Sequence, residues 1–133
     1  AWHTEDMDLF SVNYLHYGAP KHWYGIPEKD RRLFENLAAE LFPAKTNSCK
    51  QFLRHKTTMI DPVILERAGI TVVTTQQKER EFVVTLPGAY HAGFNHGFNC
   101  AEAINFALET WIPRGQIASV CWCRSDSIII NME

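Results

Sequence analysis

Runs rich in aromatic and β-branched residues recur along this chain, and only positions 27–69 break them with a sustained helical pattern. Strands therefore dominate, and the regular strand–helix alternation that builds a parallel sheet is missing. Residues 2–17 read as a strand stopped by Gly18 and Pro20, and residues 21–26 as a second strand closed by Pro27. Across 27–42, Leu33, Phe34, Leu37, Ala38, Leu41 and Phe42 return every three or four positions. That spacing predicts a helix with Pro27 in its first turn and Pro43 at its end. A shorter helix is expected after it, with Asp61 as N-cap, Pro62 in the first turn and Gly69 past the end. Strands resume at 70–75, 81–86, 90–96 and 100–108, and the polar stretch 76–81 reads as a solvated turn. A short helix over 111–119 and a final strand pair over 120–132 complete the chain. The expectation is a mainly β domain, an antiparallel sandwich or barrel of jelly-roll type with a helical insertion at 27–69.

A chain of 133 residues suits one domain, so residues 1–133 are read as a single unit. Apolar residues make up 46% and charged residues 21%, which is too apolar for disorder. The net charge of -2 argues against a domain whose main work is gripping phosphate backbones, so no direct nucleic-acid partner is expected. No run approaches the roughly 18 apolar residues a membrane span requires, and no signal-peptide pattern opens the chain. Cysteines stand at 49, 100, 121 and 123. The Cys121-Trp122-Cys123 spacing sits more comfortably around a metal than in a disulfide framework, which favours a reducing compartment. Opening at Ala1 and ending just after an apolar run, the sequence reads as an excerpt.

His3-Thr4-Glu5 is the first constellation that carries chemistry. On a strand, residues two apart share a side, so the imidazole and the carboxylate face one point. A second histidine from a distant strand would complete a two-His, one-carboxylate face with open positions for substrate and O2 on Fe(II). Both His91 and His96, in the run 90–97, offer that ligand. The plain alternative is a histidine at the edge of an aromatic strand. Cys49, His55, Cys121 and Cys123 form the second constellation: three thiolates and an imidazole make a closed tetrahedral Zn(II) site that pins a loop to the C-terminal segment. Its alternative is cysteines acting as small hydrophobes, and that is the reading kept for Cys100. Lys21 could pair with a ligand carboxylate, although most such lysines are solvated. Asn13, inside a strand, needs a polar partner if buried. His16 and His22 are assigned to structure or surface, and Trp23 and Tyr24 to the core.

Taken together, the stretches Ala1 to Leu9, Phe52-Leu53-Arg54-His55-Lys56 and His91 to Glu102 resemble the JmjC domain of the lysine-specific demethylase 4 family of histone demethylases. The resemblance covers nearly the whole chain. It implies a double-stranded β-helix, a cupin-like jelly roll, whose first strands and JmjN segment would lie upstream of Ala1. It implies that His3, Glu5 and His91 hold Fe(II), which selects His91 over His96. Asn13 and Lys21 match the family's 2-oxoglutarate contacts, with Lys21 on the distal carboxylate and Trp23 lining the pocket. Cys49, His55, Cys121 and Cys123 match its structural zinc ligands. Lys56 matches a position near the O2 path, and Asn105 one beside the methylammonium pocket.

The activity implied is Fe(II)- and 2-oxoglutarate-dependent oxidative demethylation of methyl-lysine on histone H3, with O2 as cosubstrate and succinate, CO2 and formaldehyde released. A methylated H3 tail, chromatin and the nucleus follow as partner and place. Ala103-Ile104 stands where several members carry a Ser-Thr pair. Another branch with Ala-Ile resembles an enzyme for the lysine-9 site, which favours lysine 9 over lysine 36. Gly88-Ala89 departs from the family's usual aromatic residue and Gly. Two alternatives stand beside the demethylase, a JmjC protein hydroxylase and a catalytically silent chromatin scaffold. Retention of His3, Glu5, His91 and Lys21 argues against the scaffold.

Overall fold

The computed structural model describes residues 1–133. Six strands build two antiparallel sheets: β1 (Phe10–Gly18), β2 (Lys21–Gly25), β3 (Val73–Gln77), β4 (Phe82–Thr85), β5 (His91–Asn95) and β6 (Asn99–Phe106). One sheet has the order β4-β1-β6 and the other β3-β2-β5, so consecutive strands repeatedly cross between sheets, as the jelly-roll expectation requires. The β1–β2 turn is tight, and Gly18 adopts φ 103°, a left-handed value that favours glycine.

The helical insertion comprises α1 (Arg31–Leu41), α2 (Pro43–Ser48) and α3 (Pro62–Arg67). Asp61 Oδ1 accepts from Val63 N at 2.9 Å, the N-cap expected of it. Pro43 both ends α1 and opens α2, because a residue without an N–H is tolerated in a first helical turn. Phe34 and Ala38 are fully buried while Leu33 and Leu41 lie exposed, so the apolar face of α1 is narrower than its spacing suggests. This face covers the outside of the second sheet. The main core therefore sits between sheet and helices, where Trp2, Ile26, Phe34, Leu65, Ile70 and Tyr90 pack together. Removing the Phe34 ring would cost about 3–5 kcal/mol. Between the two sheets lies a polar cavity at the end lined by His3, Glu5, Asn13 and Lys21, and an apolar one at the end lined by Ile26, Val73, Val83 and Leu86. No helix is long and apolar enough to cross a membrane.

Three expectations are corrected. Residues 2–17 are not one strand: His3 makes a single bridge to His91, and a 3-10 turn at Asp6–Asp8 precedes β1. Met7 and Asp8 adopt φ of 53° and 51° there, values that interrupt any ladder. That turn is held by the Asp8 carboxylate, which is wholly buried and meets Arg31 Nη1 at 3.0 Å, Arg54 Nη2 at 2.9 Å and Arg114 Nε at 3.0 Å. The expected strand pair over 120–132 does not form; after α4 (Ile112–Ile117) the chain runs irregularly, with Ser127 Oγ donating to Cys121 O at 2.6 Å. Finally, the stretch 76–81 is not wholly a solvated turn, because Gln77 belongs to β3 and is completely buried.

Candidate metal centres and cavity

The His3–His91 bridge fixes the first centre through the backbone. Each residue donates its N–H to the other's carbonyl, at 3.1 and 3.0 Å. Both rings are then oriented by further backbone oxygens: His3 Nδ1 donates to Ala1 O at 2.8 Å and His91 Nδ1 to Ala89 O at 3.1 Å. A carbonyl can only accept, so both Nδ1 atoms carry the proton and both Nε2 lone pairs are free. Those lone pairs face Glu5 Oε1, at 3.0 Å from His91 and 3.8 Å from His3. Three acceptors turned on one point call for a cation among them, and the ligand atoms lie within 4.8 Å of one another. The donor set of two imidazoles and a carboxylate suits a divalent transition metal. Glu5 Oε2 is occupied separately, accepting from Asn105 Nδ2 at 2.8 Å.

Charge agrees with geometry at this centre. Burial, and then the neighbouring His91, lower His3 to a pKa of about 4, so its ring is neutral at pH 7. Burial pushes Glu5 up, but the close His91 ring and the hydrogen bond from Asn105 outweigh it and bring the carboxyl down to about 2. Neutral imidazole and ionised carboxylate are the forms that ligate metal.

The centre opens on a cavity of about 310 Å³ between the two sheets. Its walls bring together His3, Glu5, Asn13, Lys21, Trp23, His91, Ala103 and Asn105, residues spread over four strands and the opening segment. Lys21 Nζ lies 2.7 Å from Asn95 Oδ1, and burial lowers its pKa. Trp23 Nε1 donates to Gln77 Oε1 at 3.0 Å. Ala103 pairs with Asn13, while Ile104 pairs with Val12 and is 68% exposed; the strand alternation turns Ile104 towards the opposite face. Lys56 is exposed, in a left-handed conformation at φ 55°, and lines a neighbouring cleft with Asp6, Arg54, His55 and Asp126. Its charge reaches His3. His96 lies away from the centre, on the outer face with His22 and Phe94. His16 is exposed beside Glu102 at 2.9 Å.

The second centre gathers Cys49, at the end of α2, His55, at the end of a 3-10 turn, and Cys121 and Cys123 from the C-terminal segment. Cys49 and Cys121 sulfurs stand 3.7 Å apart, far beyond a disulfide bond and close to the roughly 3.8 Å edge of a tetrahedral site with Zn–S bonds near 2.3 Å. His55 Nε2 lies 3.2 Å from Cys121 Sγ. Burial raises the Cys121 thiol, but the Cys123 N–H and neighbouring thiols bring it below its ordinary value. Hydrogen bonding to Cys49 and Cys121 lifts Cys123 to about 11. Three thiols this close cannot all ionise without a cation, and the donor set is the one expected of structural zinc. Cys100 lies half-buried in β6, apart from this group.

Gln77 is the residue that sequence reasoning missed. It stands in the polar run 74–81, and no local signal marks it as buried; only its pairing with Lys21 across the sheet brings it inside. Asp8 escaped notice as well, since its three arginine partners lie 23, 46 and 106 positions away.

A family model described as "JmjC domain, hydroxylase" matches residues 1–106. Over all 133 residues the chain is 53% identical to lysine-specific demethylase 4B of Mus musculus, spanning 12% of that protein. It is 53% identical to lysine-specific demethylase 4D of Rattus norvegicus, spanning 26% of it, and to probable lysine-specific demethylase 4F of Homo sapiens, spanning 21%. The chain thus covers about a quarter or less of each of these curated relatives.

Proposed function

The chain belongs to the JmjC domain family, and from that premise we propose that it is the catalytic part of an Fe(II)- and 2-oxoglutarate-dependent histone lysine demethylase. The observation that carries this reading is the convergence of His3, Glu5 and His91 on one point of a cavity whose far wall offers Lys21 and Asn13. In this reading His3, Glu5 and His91 hold Fe(II). Cys49, His55, Cys121 and Cys123 hold a structural Zn(II). The relatives' printed names support methyl-lysine as the reacting group. The substrate we propose is the histone H3 tail at lysine 9, with lysine 36 as the alternative site, on chromatin in the nucleus.

Bound Fe(II) supplies the redox chemistry by which O2 oxidises 2-oxoglutarate to succinate and CO2 and hydroxylates an N-methyl group. The hydroxymethyl amine then loses formaldehyde. The protein's own residues do the positioning. Lys21 places an ammonium where a distal carboxylate can pair with it; stripping one partner from such a pair costs about 2–5 kcal/mol of binding. Asn13 donates to the same ligand and Trp23 walls the cavity. Asn105 holds the Glu5 carboxylate still. Ala103, small and on the cavity side of β6, leaves room for a methylated ammonium. Lys56 adds positive charge beside the centre.

The test is a mass measurement on the protein that carries this chain. It is incubated with Fe(II), ascorbate, 2-oxoglutarate and a trimethyl-lysine-9 H3 peptide. Successive losses of about 14 Da, one methylene each and dependent on 2-oxoglutarate, are expected from this chemistry. A stable gain of one oxygen would make the enzyme a hydroxylase, and binding of iron and 2-oxoglutarate without any turnover would exclude this substrate.

A further inference from the structure

Lys21, Asn13 and Trp23 are assigned to the cosubstrate above, which leaves Gln77 without a role. It is a neutral amide with no exposed surface, opposite Lys21 at the end of β3. Burying an amide is costly unless each of its polar atoms is paired, and here both are. Trp23 Nε1 lies 3.0 Å from Gln77 Oε1. An indole N–H can only donate, so that oxygen is the acceptor and the amide cannot be turned round. Gln77 Nε2 must then face the other way. There it meets three acceptors: Asn13 O at 3.2 Å, Glu81 O at 3.0 Å and Asn13 Oδ1 at 3.1 Å. The Asn13 amide is fixed in turn, with Oδ1 towards Gln77 and Nδ2 left as a donor on the cavity wall.

We propose that Gln77 is a positioning residue for the 2-oxoglutarate site. The chain of bonds from Trp23 through Gln77 to Asn13 sets the hydrogen-bonding sign of the cavity wall. Asn13 Nδ2 and Lys21 Nζ both present donors, so the wall takes an acceptor-only group, an ionised carboxylate, and rejects a ligand bearing an amide or amine there. Gln77 touches no ligand itself and acts through Asn13. This inference rests on the cosubstrate assignment proposed above.

The test is calorimetric titration of the Mn(II)-loaded protein with 2-oxoglutarate. Wild type is compared with Gln77→Met, Asn13→Ala and the double variant, alongside steady-state KM values for 2-oxoglutarate and for the peptide. Gln77→Met, close in volume and without polar atoms, should weaken 2-oxoglutarate about tenfold or more, as an unpaired buried group would. The peptide KM and the kcat at saturating cosubstrate should stay within about twofold. The double variant should be no weaker than Asn13→Ala alone, which marks Gln77 as acting through Asn13. Wild-type affinity in Gln77→Met, additive losses in the double variant, or a fall in kcat together with a rise in both KM values would each overturn the proposal. Should Gln77→Met not fold, Gln77→Glu keeps the acceptor for Trp23 and loses the donors to Asn13, and the same titration decides. If wild type with Mn(II) does not bind 2-oxoglutarate, the cosubstrate assignment itself falls and takes this inference with it.

Discussion

Glu5 divides its two carboxylate oxygens between separate tasks. Oε1 faces the two imidazoles, and Oε2 is tethered by Asn105 at 2.8 Å. The tether matters because a carboxylate free to rotate would present its charge to the metal only part of the time. Asn105→Ala should let the Glu5 pKa rise from about 2 and weaken Mn(II) or Co(II) binding by about 10- to 100-fold, the usual effect of losing an outer-shell partner. An unchanged metal affinity in that variant would mean that the tether is incidental. Truncating a proposed ligand itself is harsher. His91→Ala should drop turnover by more than that range while zinc content and melting temperature stay near wild type, because the ring faces the cavity and not the core. Metal analysis and a melting curve on the same sample check both halves of the statement. The His-x-Glu pair alone leaves His91 and His96 equal as third ligand and only the family resemblance selects His91; the bridge between His3 and His91 supplies a physical reason for that choice, and a backbone bridge has no signature in side-chain spacing.

Elements with local causes were legible in the sequence. The helix at 31–41 follows from apolar spacing and α3 from its cap, proline and glycine, and the six strands of the two sheets were found near their places. Elements shaped from a distance were not. The run 128–130 carries three isoleucines and reads as strand, but it finds no ladder partner; the segment is instead tied down at Cys121 and Cys123, opposite Cys49 and His55. β1 starts later than the sequence pattern suggests for the same reason, since the arginines that hold the turn at 6–8 come from elsewhere in the chain. The cluster of Cys49, His55, Cys121 and Cys123 was legible as a set because thiol chemistry restricts the alternatives, even though 65 residues separate His55 from Cys121. In the proposed zinc site Cys121 is the central, buried sulfur, in contact with both Cys49 and His55. Cys121→Ser should therefore lower zinc below one per chain and destabilise the C-terminal segment by about 2–5 kcal/mol, the scale of losing a cross-link over a long loop. Zinc that stays stoichiometric in Cys121→Ser places the ion elsewhere.

At the scale of the whole molecule, Asp8 is the point where separate parts of the chain meet. Its carboxylate joins α1 through Arg31, the loop carrying His55 through Arg54, and α4 through Arg114, while Arg54 also donates to Glu5 O at 3.0 Å. Trp111 Nε1 donates to Met7 O at 3.0 Å and closes the same turn. One buried anion thus holds the two candidate metal centres, the helical insertion and the C-terminal helix in one frame. Removing its charge leaves Arg54 with no carboxylate partner and Arg31 and Arg114 with only the more exposed Glu35 and Glu28, and Asp8→Asn should cost about 3–5 kcal/mol at pH 7, the range for breaking a buried ion pair from one side. The acid limb gives a sharper check. Burial pushes the Asp8 pKa up, but the three arginines outweigh that and hold it below its ordinary 3.8. As pH falls through 3.8 the unfolded chain takes up the proton first, so stability is lost from there down to the lower folded value, and it is fully present above. Asparagine binds no proton in either state. Urea unfolding from pH 7 to pH 3 should then show a gap between wild type and Asp8→Asn that is constant at neutral pH and narrows below about pH 4. A gap of constant width down to pH 3 would mean that the variant loses packing and not charge, and that the arginines are held by something other than Asp8.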